Sequence, residues 1–285
     1  MPEANIFATL RRARRIWAVA AIHGEADRLG GLHDILAGRL QPGDRIVYLG
    51  NYLGRGRGVH ATLDLLIDFR RWVISQPGMF AADLIFLRGC QEEMWHKLLQ
   101  LQFATSPGEV LRWTLGQGVG ATLVAYGGSE AEALSIARQG PVGITRWTLR
   151  LRQAMNRAPG HADFMAALKR AAFTDDGRLL FVSAGLDPSL PLAAQLDSLW
   201  WGSAGFAALE AEGASPYNGY ARVVRGFARE RTVGGNARER AASSNVAPIT
   251  LAGASATVDG GAGFGGVLAA ACFDPGGELV DSIET

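Results

Sequence analysis

Lysine is almost missing from this chain. Of its 28 basic residues only Lys97 and Lys169 are lysines, a bias we attribute to base composition rather than function. Cysteine is equally scarce. Cys90 and Cys272 cannot make a disulfide framework, and their spacing is not that of a zinc site. Neither charge is in excess: 28 Lys and Arg stand against 27 Asp and Glu, for a formal net charge of +1. That excludes a dedicated nucleic-acid binder held by a large positive field. No apolar run approaches the ~18–20 residues of a membrane span. Ile16–Ile22 follows the basic Arg11-Arg12-Ala13-Arg14-Arg15, as in a signal peptide, but it is short and runs into His23-Gly24-Glu25 with no small-residue cleavage site. It reads as a buried first strand, and a soluble cytoplasmic protein is expected. Histidine is confined to His23, His33, His60, His96 and His161, with none beyond. What is present is an ordinary globular mix, 48% hydrophobic and 19% charged over 285 residues, enough for one large domain or two small ones.

The first third alternates strand and helix. Ile16–Ile22, Arg45–Leu49 and Asp83–Leu87 read as strands, and Glu25–Leu40 and Val59–Ile74 as helices with apolar residues at helical spacing. A further helix starts near Glu92. This order predicts an α/β architecture with a parallel sheet. In such sheets the loops after the strands converge on one edge, so His23, Asn51–Arg55 and Cys90–Glu92 are expected to meet. Residues 94–175 read as a mainly helical insertion, with a break at Gly116–Gly120. Leu179–Ser183 and Arg222–Arg225 read as short strands, and Ala256–Asp259 with Gly266–Phe273 as a late strand pair joined by a Gly-rich turn. Ala228–Ala247 is polar and reads as a mobile loop. A basic segment, 1–14, is expected to precede a single domain, 15–285.

Eight short motifs, in order, carry a resemblance. Ala20-Ala21-Ile22-His23-Gly24 resembles the G-D-x-H-G loop of calcineurin-like metallophosphoesterases. Gly50-Asn51-Tyr52-Leu53-Gly54-Arg55-Gly56 resembles that family's G-D-Y-V-D-R-G, and Arg88-Gly89-Cys90-Gln91-Glu92 its R-G-N-H-E. Gly120–Gly127, Phe181–Pro188, Pro191–Gln195 with Leu199-Trp200-Trp201, Val223–Ala228 and Val258–Gly266 resemble later segments of its bacterial serine/threonine protein phosphatases. The resemblance spans about residues 15 to 280. It implies two central mixed β-sheets flanked by helices, an α/β/β/α sandwich, with both metals and active site at the strand ends.

The family uses two divalent metals, such as Mn or Fe/Zn, held by two Asp, one Asn and three His, to hydrolyse phosphate esters. Placed on this sequence, the first Asp is Ala21, the first His is His23, the bridging Asp is Asn51 and the Asn is Cys90. The adjacent catalytic His is Gln91, and the last two His ligands are Ser183 and Phe227. One ligand of six remains, so no metal cofactor is expected. Arg55 matches the family's phosphate-contacting Arg. His23, Asn51, Arg55 and Arg225 are candidate anion-binding residues. Glu92 is expected to cap a helix or pair with Arg55, and Asp259 to form a turn. His33, His60 and His96 are expected at the surface or its boundary, and His161 in a turn.

The expected function is therefore that of a pseudophosphatase, a binding or regulatory module for a protein partner or a phosphorylated ligand. The alternative is residual metal-dependent serine/threonine phosphatase or phosphoesterase activity. A Cys90 nucleophile lacks the C-x₅-R loop of cysteine phosphatases. Leu199-Trp200-Trp201 reads as packing rather than as an interface.

Overall fold

The apolar run after the Arg-rich segment is a strand with almost no exposed surface, Arg15–Val19. Continuous burial on both faces means a central position in a covered sheet. In the computed structural model, which describes residues 6–228 and 247–285, that strand is β2. The others are β1 (Phe7–Leu10), β3 (Asp44–Tyr48), β4 (Leu84–Phe86), β5 (Ala171–Thr174), β6 (Leu179–Val182), β7 (Arg222–Arg225), β8 (Ile249–Ala252), β9 (Ser255–Val258), β10 (Ala269–Phe273) and β11 (Leu279–Glu284). One sheet runs β11-β10-β2-β3-β4, the other β1-β5-β6-β7-β9-β8. Both are mixed. β2, β3 and β4 are parallel, as the alternating pattern predicts, while β10 runs antiparallel to β2.

Helices α1 (Ala26–Arg39) and α2 (Val59–Ser75) are the crossovers between β2, β3 and β4. Each buries one apolar stripe, Leu29, Leu32 and Leu36 on α1 and Leu63, Leu66, Phe69 and Val73 on α2. The middle of the chain is helical: α3 (Cys90–Leu99), α4 (Pro107–Thr114), α5 (Gly120–Ala125), α6 (Glu130–Ile136), α7 (Pro141–Arg157) and α8 (His161–Ala167). Two short helices, α9 (Ser198–Trp201) and α10 (Ser203–Glu210), complete the helical cover. The core is the space between the sheets and under the helices, with Trp17, Val47, Phe181, Val224 and Phe273 fully buried.

Several expectations need correction. The late strands are not a pair: β9 belongs to the six-stranded sheet, where its antiparallel partner is β8, and β10 belongs to the five-stranded one. The Gly-rich segment between them passes from sheet to sheet, using left-handed backbone at Gly261 and Gly265. The basic N-terminal segment is not separate, because Phe7–Leu10 pairs in parallel with β5. His33 is not at the surface. It is 6% exposed, stacks on Phe69 at 3.9 Å and meets the Tyr48 hydroxyl through Nε2 at 2.8 Å. His161 is not a turn residue but opens α8 fully buried, between the Tyr126 hydroxyl at 2.9 Å and Asp64 at 3.0 Å. The Ala228–Ala247 loop lies almost wholly outside the described residues.

Candidate functional site

Three loops meet where β2, β3 and β4 end, as parallel strands require. The backbone sews them together. Ile22 and His23 donate to the Asn51 carbonyl at 3.0 and 2.7 Å, Gly24 donates to that of Tyr52 at 2.9 Å, and Gly56 donates to that of His23 at 2.7 Å. Closing loops this tightly forces left-handed backbone at three non-glycine residues, His23 (φ 55°), Asn51 (φ 58°) and Arg55 (φ 50°). Asparagine tolerates that region; for the other two it costs ~1–2 kcal/mol each. Gly50 is required for a second reason: with φ 93°, a β-carbon there would sit 2.7 Å from the Gly89 nitrogen.

Glu92 holds the loops in place. Its carboxylate, fully buried, accepts hydrogen bonds from the backbone N–H groups of Asn51, Tyr52, Leu53 and Gly89 at 2.8 to 3.1 Å. Burial pushes its pKa up, and the amides of Leu53, Gly89 and Asn51 work against that rise. The carboxylate is a cap, as one of the two expectations has it, and it makes no ion pair with Arg55.

The seven positions inferred from the resemblance do converge. Asn51 Oδ1 accepts from the Cys90 thiol at 3.2 Å and from the Gln91 N–H at 3.0 Å. Ala21 N–H donates to the Gly226 carbonyl, and Gly226 N–H to that of Ser183, both at 3.0 Å. Phe227 meets the His23 ring edge-on, centroids 5.3 Å apart, and Phe264 does so at 6.0 Å. The Arg55 guanidinium lies over Phe264 at 3.9 Å. Arg225 does not join them. It stacks on Phe206 at 4.1 Å, pairs with Glu210 at 2.9 Å and donates to Thr257 at 2.9 Å. An arginine so engaged is part of the six-stranded sheet's packing, which corrects its candidacy as an anion-binding residue.

His23 is as buried as Glu92, yet neither ring nitrogen makes a full hydrogen bond to a described residue. Burial first and the Arg55 charge second lower its pKa to about 3, against the Leu53 backbone, which raises it. The imidazole is therefore neutral. Asn51 Nδ2, Gln91 Oε1, Ser183 Oγ and Arg55 Nε are likewise buried without a described partner. The site is thus a small polar cluster inside an aromatic wall, with Arg55 as its cation.

A pair of divalent metals does not fit these residues. Hard dications take anionic oxygen ligands, and softer ones need imidazole or thiolate. Among the described residues, no group of three or more His, Cys, Asp or Glu is placed to hold a metal ion. The buried carboxylate of the loops, Glu92, is saturated by amides, and the last ligand position is a phenyl ring turned toward His23.

The resemblance alone did not mark Phe264, Thr122 or Gln117 as contributors. Thr122 Oγ1 accepts from Gly54 N–H at 2.9 Å, and the Gln117 carbonyl accepts from Gln91 Nε2 at 2.8 Å. Gly118, at φ 101°, lets that turn pass so close that a β-carbon would lie 2.7 Å from Arg55 Cγ. The glycine break at 116–120 was the available signal. Asp259 is more than a turn former, since it accepts from Ala228 N–H at 2.8 Å as well as from Gly261 N–H at 3.0 Å. It ties the Phe227 loop to the loop that carries Phe264.

No protein-family model matches the chain, and no curated protein matches it. Solved structures do. A serine/threonine phosphatase from Saccharomyces cerevisiae, with similarity to human phosphatase PP5, is 12% identical with a TM-score of 0.50, covering 99% of this chain and 84% of that one. The cold-active protein-tyrosine phosphatase of a psychrophile, Shewanella sp., is 13% identical with a TM-score of 0.50, covering 100% and 82%. At such identities the likeness speaks for the fold alone, and the two mixed sheets with their flanking helices are the calcineurin-like metallophosphoesterase fold.

Proposed function

We propose that this chain is a pseudophosphatase, a metallophosphoesterase-like protein that acts by binding a protein partner or a phosphorylated ligand and does not turn it over. The observation that carries the reading is the ring of Phe227 set against His23, at the position where the resemblance calls for a metal-binding histidine. Ala21, Asn51, Cys90 and Ser183 at the remaining ligand positions supply no carboxylate. Two dications there would face Arg55 without compensating anions, and at ~4 Å two like unit charges repel by ~4 kcal/mol even at an effective dielectric of 20.

The polar cluster suits a neutral or anionic guest. Arg55 Nε, Asn51 Nδ2, Ser183 Oγ and one N–H of neutral His23 are donors, and Gln91 Oε1 is an acceptor. Metal-dependent phosphatase activity, the other reading of the resemblance, has the retained His23 and the phosphatase-like fold in its favour. Metal content, turnover of p-nitrophenyl phosphate with added Mn²⁺, and phosphate binding by calorimetry test the proposal together. We expect no stoichiometric metal and no turnover, and any phosphate binding lost in Arg55→Ala. Turnover that disappears in His23→Ala would overturn the reading.

A further inference from the structure

An open groove of about 1060 Å³ lies between the borders of the two sheets and reaches Arg88 at the start of the loop after β4. β1 is the terminal strand of one sheet and β4 of the other, and both line it. The segment Lys169–Arg170 joins these borders. Lys169 N–H donates to the Phe86 carbonyl at 2.9 Å, Arg88 N–H to the Lys169 carbonyl at 2.7 Å, and Arg170 N–H to the Ile6 carbonyl at 2.8 Å. Ile67, Leu84, Phe86 and Phe164 contribute apolar lining.

Its charge is one-sided. Arg70, Arg71, Arg88, Lys169 and Arg170 line the groove against a single acid, Asp163. The whole chain carries only +1, so this is a local concentration of positive charge. Arg70 and Arg71 are the least committed of these. Arg71 meets Asp68 at 2.8 Å with both side chains 69% exposed, a pairing of ~0–1 kcal/mol. Arg88 shares Glu93 at 3.2 Å, Arg170 lies 5.6 Å from the Trp200 ring, and Arg70 has no ion pair among the described residues.

We propose that this groove docks an acidic, extended peptide segment of a partner protein. Arginine forks bind carboxylates in a bidentate manner. The outer edge of β1 offers its backbone to an incoming strand, whereas on β4 the Phe86 carbonyl is already taken by Lys169, and the alternation of an extended peptide would turn every second side chain toward the apolar lining. Nucleic acid fits less well. Phe86 and Phe164 meet each other edge to face at 4.8 Å rather than offering open faces for base stacking. None of this depends on whether the strand-end cluster hydrolyses phosphate esters.

The test uses the full chain and a fluorescently labelled peptide of alternating glutamate and valine, read by anisotropy. The acidic peptide should bind, weakening as salt rises, while a lysine–valine peptide should not. Arg70→Glu combined with Arg71→Glu, both exposed, should weaken binding about tenfold or more, the equivalent of ~1.4 kcal/mol. Arg138→Glu, exposed but outside the groove, should leave it unchanged. Hydrogen exchange should show peptide-induced protection at Phe7–Leu10. Binding unaffected by the double substitution, no protection at Phe7–Leu10, or tighter binding of a single-stranded oligonucleotide than of the acidic peptide would each overturn the proposal.

Discussion

Glu92 and His23 lie in the same knot of loops, are equally buried, and are treated in opposite ways. Glu92 has four backbone donors on its two oxygens, and among the described residues His23 has no full hydrogen bond on its two nitrogens. The first is a structural anchor, while the second contributes no such anchoring. The loop geometry is held by Glu92 and the glycines. Glu92 should therefore be the most sensitive position in the site. Glu92→Ala removes a buried charge and leaves four amides unsatisfied, and should cost about 3–5 kcal/mol in denaturant unfolding. A loss below ~1 kcal/mol would mean that the loops are held some other way.

Acid sharpens the comparison. His23 and His33 each have a folded-state pKa of about 3 against 6.5 for the free side chain. Between those values the unfolded chain binds more protons, so stability is full above about pH 6.5 and falls as pH drops through the window. Each ring contributes a slope of at most ~1.4 kcal/mol per pH unit. Glu92, raised by burial, works in the opposite direction and offsets part of the loss. His33→Phe, which can keep the stack on Phe69, should flatten the pH dependence of the unfolding midpoint. An unchanged profile would place that ring's protonation elsewhere.

Smaller effects are expected at the aromatic wall. Phe227→His restores one ligand by resemblance but removes a buried phenyl, and should cost ~1–3 kcal/mol without conferring Mn²⁺-dependent turnover. Smallest of all, His23→Leu should change stability by no more than about 1 kcal/mol, because among the described residues neither ring nitrogen makes a full hydrogen bond. A loss as large as that of Glu92→Ala would erase the distinction between the two residues.

Much of this was legible in the residues. The alternation of apolar runs with helical stripes places β2, β3 and β4 within one to three residues, and the ordered motifs place all seven strand-end positions together. The burial of His33 had a local signal, since it follows Leu29 by four residues and precedes Leu36 by three, on the same face of α1. Other features had none. β8 and β11 are short edge strands with mixed exposure, which gives weak alternation. Whether Ser255–Val258 and Ala269–Phe273 pair or part depends on contacts with distant strands, and so does the position of Phe264 beside His23. Arg225 looks like a site residue in sequence because its neighbours are; only the packing of α10 against the sheet shows that Glu210 and Phe206 hold it.

The central claim is that the strand-end cluster keeps the loops of a metallophosphoesterase and not its metal chemistry. Calorimetric titration of the purified, chelator-treated chain with Mn²⁺, followed by p-nitrophenyl phosphate assay of the same sample, tests it most directly. The account predicts no saturable binding at the cluster and no turnover above buffer. Stoichiometric Mn²⁺ binding accompanied by turnover, with both abolished in His23→Ala, would contradict it.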